Sequence, residues 1–400
     1  MRVLHILTSG VFPMPGGQES SVLRIARFLS APGRSRAVVY TRRQSRDSVA
    51  PHPAHGPVEV VHLGSEKDFL LAPLDSGAGP ITESVPSAYL LESLRVDYLL
   101  AVSAIRERMD ADPGAEHIVI SFFMTTNGFI GQQVALTLGI PHVASVQGSD
   151  FSRDFRSPYH LQAIRFVVEN ARLTITNNQE QARVLAGAFP AARAFRTVHN
   201  ALDEEFAGPV WKLPSAGPLR LAADCEFSFK KGTHVLLRAV ADLCERGDSV
   251  TLTVAGRIEP KERNYWNACQ REYEARHPGV FTFPGWLPAD RLREVLLAST
   301  VYVSATFGEG CSLAQMRAMA LGMPVVATRT GAIQELCQNA AHVALCPPCD
   351  AVALSAAIHS MLAGLRGGSI RVESKCVEEW RRHFSPERER CDWEAALSAL

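Results

Sequence analysis

The chain has 400 residues, of which 46% are hydrophobic, 20% charged and 8% aromatic, enough apolar material for a full core and unlike the polar composition of disordered chains. Its 41 basic and 41 acidic residues balance, so no overall field draws in DNA or RNA. At about 150 residues per domain, the length predicts two mid-sized domains. The longest apolar run near the start, Val3 to Leu7, is far too short for a signal segment or a membrane span, which points to the cytoplasm.

Arg2 to Thr8 reads as a buried strand, closed by a Pro/Gly stretch ending at Gly16 and Gly17. Gln18 to Ser30 follows with apolar residues on one helical face, and Ala37 to Tyr40 is the next strand. Residues 47 to 90, rich in Pro, Gly, Ser and His, read as a long mobile excursion. The alternation resumes with strand His117 to Phe122, helix Ile130 to Leu138, strand His142 to Val146, helix Tyr159 to Asn170 and strand Arg172 to Asn177. Strands separated by helical stretches of this length predict a parallel sheet covered on both faces.

Between Phe206 and Pro218 the periodicity stops among three prolines and two glycines, so this interval reads as a linker between a domain over 1–205 and another over 219–375. The second half repeats the pattern: strands at Leu219 to Ala223, Ser249 to Ala255, Val280 to Phe283, Val301 to Ser304 and Pro324 to Thr328, with helices at Thr233 to Arg246, Ala289 to Ala298 and Leu313 to Leu321. Residues 376–400 read as a helical tail that packs back toward the first domain. The expected class is α/β, two doubly wound Rossmann-like domains whose ligand crevices, at the carboxyl ends of the strands, face each other across a cleft.

All nine cysteines lie between Cys225 and Cys391, an odd number that does not fit a disulfide scaffold. Cys346 and Cys349 form one C-x-x-C without the further ligands that zinc needs, and Asp110-Ala111-Asp112 spells a D-x-D at a helix end; no metal site is expected. From Ser20 to Arg46 there are seven arginines, Arg24 to Arg46, and no acid. They read as a solvated face or as a patch that meets an anionic membrane or acceptor.

Three loops carry candidate chemistry. Gly16 and Gly17 let the backbone approach an anion where a helix begins. Lys230 and Lys231, before Gly232, can hold a phosphate as point charges. Gly308-Glu309-Gly310-Cys311-Ser312-Leu313 opens a helix after an apolar strand, so a carboxylate for sugar hydroxyls lies beside helix amides that can cradle a phosphate.

These residues resemble the retaining nucleotide-sugar glycosyltransferases of glycosyltransferase family 4, which have the GT-B fold. Gly16-Gly17-Gln18-Glu19 resembles the family's G-G-x-E loop, and Val198-His199-Asn200-Ala201-Leu202-Asp203 its P-N-G-V-D segment. Lys231-Gly232 is similar to its K-G, Phe283-Pro284-Gly285-Trp286 to its F-x-G-x, and Glu309 to Leu313 with Ala318 to Ala327 to its E-G-x-x-L and A-M-A-x-G-x-P-V-V-A block. The resemblance implies a nucleoside diphosphate sugar as donor, an unidentified glycan, lipid or small-molecule acceptor, glycan biosynthesis, and neither metal nor cofactor. It places Gly16, Gly17, Lys231, Glu309, Gly310, Cys311, Ser312, Leu313 and Arg317 on the donor, Gln147 and Asp150 on the acceptor side, and Glu309, Lys231 and Gln147 at the reaction.

Three positions depart from the pattern. Arg317 stands where the family has a second Glu, Glu226 where it has an Arg, and Gln147 where many members have a His. The swaps at 226 and 317 are opposite in sign, which predicts that Arg317 meets either Glu226 or the diphosphate. They also leave a second reading open: a catalytically degenerate paralogue that binds sugar nucleotide as a scaffold or activator of a partner glycosyltransferase.

Overall fold

The computed structural model describes the chain except for residues 9–16, 32, 42–57, 64–86, 153, 203, 207–210, 215–218, 259–261 and 338–339. It divides into two compact units, one of residues 1–198 and 390–400, the other of residues 199–389.

In the first unit the described strands are β1 (Arg2–Thr8), β2 (Ser35–Thr41), β3 (Glu59–His62), β4 (Glu116–Phe122), β5 (His142–Ser145), β6 (Leu173–Thr176) and β7 (Phe195–Thr197). They form a parallel sheet in the order β3-β2-β1-β4-β5-β6-β7. The helices between them are α1 (Gly17–Leu29), α2 (Ser87–Ala111), α3 (Thr126–Leu138), α4 (Gly148–Ser152), α5 (Pro158–Asn170) and α6 (Gln179–Ala188). Because side chains alternate along a strand, Leu4 and Ile6 pack with Val22, Ile25 and Leu29, while Val3 and Leu7 pack on the other face with Ile105, Ile130 and Val134. A sheet buried on both faces explains why β1 is apolar on both of its faces, with the buried His5 the only polar residue among Val3 to Leu7.

The second unit has β8 (Leu219–Asp224), β9 (Val250–Ala255), β10 (Phe281–Gly285), β11 (Val301–Ser304), β12 (Val325–Thr328) and β13 (Val343–Cys346), in the order β10-β9-β8-β11-β12-β13. Its helices are α7 (Thr233–Glu245), α8 (Arg263–Arg276), α9 (Ala289–Leu297), α10 (Leu313–Ala320), α11 (Ile333–Leu336), α12 (Ala351–Arg366) and α13 (Ser374–His383); α14 (Pro386–Ser398) closes the chain. Val301 and Val303 face a core shared with α7 and α12, and Tyr302 faces one shared with α10 and α13.

Three expectations are corrected here. The excursion over 47–90 contains an edge strand, β3, which pairs with β2, and runs into the long helix α2; the four residues of β3 were too short a signal among prolines and histidines. Within 206–218 the described Phe206 and Trp211 do not read as free linker: both are buried in the second unit, and the Trp211 indole donates to the Ser299 carbonyl at 2.7 Å. The tail divides: residues 390–400 belong with the first unit, where Trp393 packs on Phe122, while 376–389 belong with the second.

Candidate functional site

In the second unit the strand order reverses between β8 and β11, and loops leaving the carboxyl ends of strands on either side of such a reversal frame a crevice. The loop after β8 carries Lys231, and the loop after β11 carries Glu309. Two backbone contacts lock these loops together. The Phe307 amide donates to the Lys230 carbonyl at 2.9 Å, and Gly232, at φ 65°, leaves no room for a side chain: a Cβ there would lie 2.0 Å from the Ala305 carbonyl oxygen.

Within this frame Lys231 Nζ lies 2.6 Å from Glu309 Oε1, which also accepts from the Thr306 hydroxyl at 3.1 Å. Burial alone would push the Glu309 carboxyl up, but Lys231, Lys230 and these hydrogen bonds outweigh it and hold it below the usual range. Burial would likewise lower Lys231, and Glu309 reverses that. The pair is thus fully charged at neutral pH.

Gly310, Cys311 and Ser312 lead into α10, with Ser312 at its N-cap, so the first-turn amides are directed at this corner. Two further segments brace them. Ala332 donates to the Gly310 carbonyl at 2.8 Å from a turn in which Gly331, at φ 67°, abuts the Glu309 and Gly310 carbonyls, and Asn200 Nδ2 donates to the Cys311 carbonyl at 3.1 Å. His199 lies 2.5 Å from Glu335 through Nε2 and 3.0 Å from His383 through Nδ1. Burial pushes the Cys225 and Cys311 thiols up to about 12, so neither is a nucleophile at neutral pH.

Arg317 has an acidic partner at the end of β8. Its guanidinium donates to Asp224 Oδ2 at 2.7 Å and lies 4.9 Å from the centroid of the Phe206 ring. The acid that receives it stands two residues upstream of Glu226, at the very end of β8. Both side chains are largely covered, so the pair should couple by about 1 to 2 kcal/mol. Urea unfolding of Asp224→Ala, Arg317→Ala and the double variant measures this. Each single change should destabilise, the double should cost less than their sum, and strict additivity would remove the pair from the account.

In the first unit Gly16 lies outside the described residues, and Gly17 is the first residue of α1. Asp150 is fully buried, and its Oδ2 accepts from the Gln147 amide at 2.8 Å, while Gln147 Nε2 donates to Ser145 Oγ at 3.1 Å. Asp150 therefore shapes the loop that presents Gln147. Just after β4, Phe123 is held at φ 70°, a strained conformation for a bulky residue beside the corresponding strand reversal of this sheet. The arginine run is not without a counter-acid: Glu59 of β3 bridges Arg36 and Arg108, and Arg24 bonds Ser21. Arg42, Arg43 and Arg46 lie outside the described residues.

Sequence reasoning missed Thr306, Asp224 and the bracing role of Asn200. Asp224 had a usable signal, an acid ending an apolar strand; Thr306 had none beyond its nearness to Glu309. Among the described residues no group of three or more His, Cys, Asp or Glu could hold a metal ion, and no helix is long and apolar enough to cross a membrane.

Residues 222–364, which include this corner, match the family model described as Glycosyl transferases group 1. A protein of Salmonella typhimurium named as a colanic acid biosynthesis glycosyltransferase, WcaL, is 32% identical over 145 residues, 35% of each chain, so the similarity spans about a third of the length of such relatives. Among solved structures, sucrose-phosphate synthase from Thermosynechococcus elongatus superposes with a TM-score of 0.75 at 20% identity, over 100% of this chain and 99% of that one. Anabaena HepE in complex with UDP gives 0.72 at 19% identity, over 100% of both chains. The chain has the two-domain, Rossmann-like GT-B fold, and its second unit carries the part that matches the glycosyl transferases of group 1.

Proposed function

We propose that this chain is a retaining glycosyltransferase that moves a sugar from a nucleoside diphosphate sugar to a glycan, lipid or small-molecule acceptor, with no bound metal or resident cofactor. The observation that carries the reading is the charged Lys231–Glu309 pair at the strand reversal of the second unit, beside the start of α10. As the bond from the anomeric carbon to the diphosphate breaks, negative charge grows on the leaving group. Lys231 and the amides of Gly310 to Leu313 stabilise it. Glu309 orients the sugar through its hydroxyls, and the acceptor hydroxyl attacks from the face the leaving group departs, passing its proton to the departing diphosphate oxygen; Gln147, on the loop that Asp150 shapes, is the proposed acceptor-side residue of the first unit. The names of the similar proteins support both halves of the reaction: HepE is described with UDP and with UDP-glucose, and WcaL by the biosynthesis of colanic acid. On this reading the protein works in the cytoplasm, and the Arg24 to Arg46 stretch is the proposed place of peripheral contact with an anionic membrane.

One observation favours a second reading. Arg317 is engaged by Asp224 and Phe206, which suits a paralogue that binds sugar nucleotide without turning it over. Incubation with UDP-, GDP- and dTDP-sugars separates the two. Slow release of nucleoside diphosphate from one of them, lost in Glu309→Gln, is expected of the enzyme; binding without any release would leave the scaffold, and no binding would remove both.

A further inference from the structure

Lys231 and Glu309 have different tasks in the proposed donor site, one for the diphosphate and one for the sugar. In the structure each is already engaged by the other, Nζ to Oε1 at 2.6 Å. The loops that carry them are fixed by the Phe307–Lys230 backbone bond and by Gly232 against Ala305, so neither side chain is brought there by a loop that can simply swing away. A diphosphate that reaches Lys231 therefore competes with Glu309 for its ammonium. The Glu309 side chain is only 11% exposed, so once Lys231 turns to a phosphate the carboxylate stays behind with little water, with the Thr306 hydroxyl as hydrogen-bond donor and the charge of Lys230 nearby.

We infer that Glu309 is an internal competitor for the phosphate site, and that this competition makes the site select a nucleotide sugar over the bare nucleoside diphosphate. The inference rests on the donor reading above. A ligand that carries a sugar returns hydroxyl donors to the carboxylate it displaces. A ligand without one does not. The same device favours departure of the product: when the sugar leaves, Glu309 loses its hydroxyl partners and reclaims Lys231, helping to expel the nucleoside diphosphate.

The test is calorimetric, with inorganic pyrophosphate as a probe that has neither base nor sugar, beside UDP, GDP, dTDP and the nucleotide sugar of whichever of these binds. Glu309→Gln keeps the shape and removes the charge. It should bind pyrophosphate and the nucleoside diphosphate about tenfold more tightly than wild type, the scale of one charged hydrogen bond, while the nucleotide sugar gains less. Glu309→Asp, which keeps the charge but withdraws it by one methylene, should move pyrophosphate the same way by a smaller factor and guards against a folding defect in the first variant. Pyrophosphate affinity within about threefold of wild type, or weaker, in both variants overturns the inference and leaves the donor reading standing. If wild type and variants alike bind none of the probes, the donor reading falls and takes the inference with it.

Discussion

Lys231→Ala should weaken binding of the nucleoside diphosphate sugar by about ten- to a hundredfold, the loss of one charged hydrogen bond to phosphate. The structure adds a second effect that a surface lysine would not show. Glu309 is 11% exposed, and removal of its partner leaves a carboxylate with little solvent, so folding stability should also fall, by roughly 1 to 3 kcal/mol. For a unit of this size that is a drop in melting temperature of about 2 to 4 °C per kcal/mol. Adding Glu309→Ala should restore much of the stability and none of the donor affinity. Calorimetry and thermal melts of the two variants check this; donor affinity close to wild type in Lys231→Ala would show that the diphosphate lies elsewhere.

Acid should unfold the first unit well before carboxylate titration is complete. Two histidines are buried neutral in its sheet. His5 lies between the Tyr40 hydroxyl and His117, each at 3.0 Å, and burial, His117 and Arg108 together lower it from 6.5 to about 3. His142 lies between Ser121 at 2.8 Å and Gln132 at 2.9 Å, and burial lowers it to about 3 as well. Between these values and 6.5 the unfolded chain binds two protons that the folded one refuses, so stability is lost as pH falls through that window. Near pH 5 the slope is about 2.7 kcal/mol per pH unit, set against total stabilities of about 5 to 15 kcal/mol. Urea unfolding followed through Trp393, the tryptophan that belongs to this unit, should show its midpoint falling steeply from pH 7 to pH 5. His142→Asn should halve the slope even though it lowers stability at pH 7. A midpoint that does not move over that range would mean that the two rings are charged in the folded protein.

The alternation of strands and helices was legible because both faces of each sheet are covered, and covered strands are short apolar runs that punctuation residues isolate. Lys231 and Glu309 were legible for a related reason: a glycine follows each, and each precedes a helix. What could not be read depends on contacts between distant segments. The partner of Arg317 is decided by β11 lying against β8, which brings the end of β8, Asp224, beside α10. The crossing at residues 198 and 199 was hidden because Pro/Gly-rich sequence usually marks a linker, yet Trp211 in that stretch buries its indole and finds the Ser299 carbonyl. Likewise β3 gains its stability from β2 and announces little in its own four residues.

The nine free cysteines sort themselves for a practical purpose. Burial raises the thiols of Cys225, Cys244, Cys269, Cys311, Cys337, Cys346 and Cys376, which keeps them protonated and slow toward electrophiles. Cys349 and Cys391 are the exposed ones, and they fall in different units, the former in the second and the latter in the first. The wild-type chain therefore comes with its own pair of attachment points for fluorophores or spin labels. Distances between them would follow the two units against each other as donor and acceptor are added, with no cysteine introduced or removed.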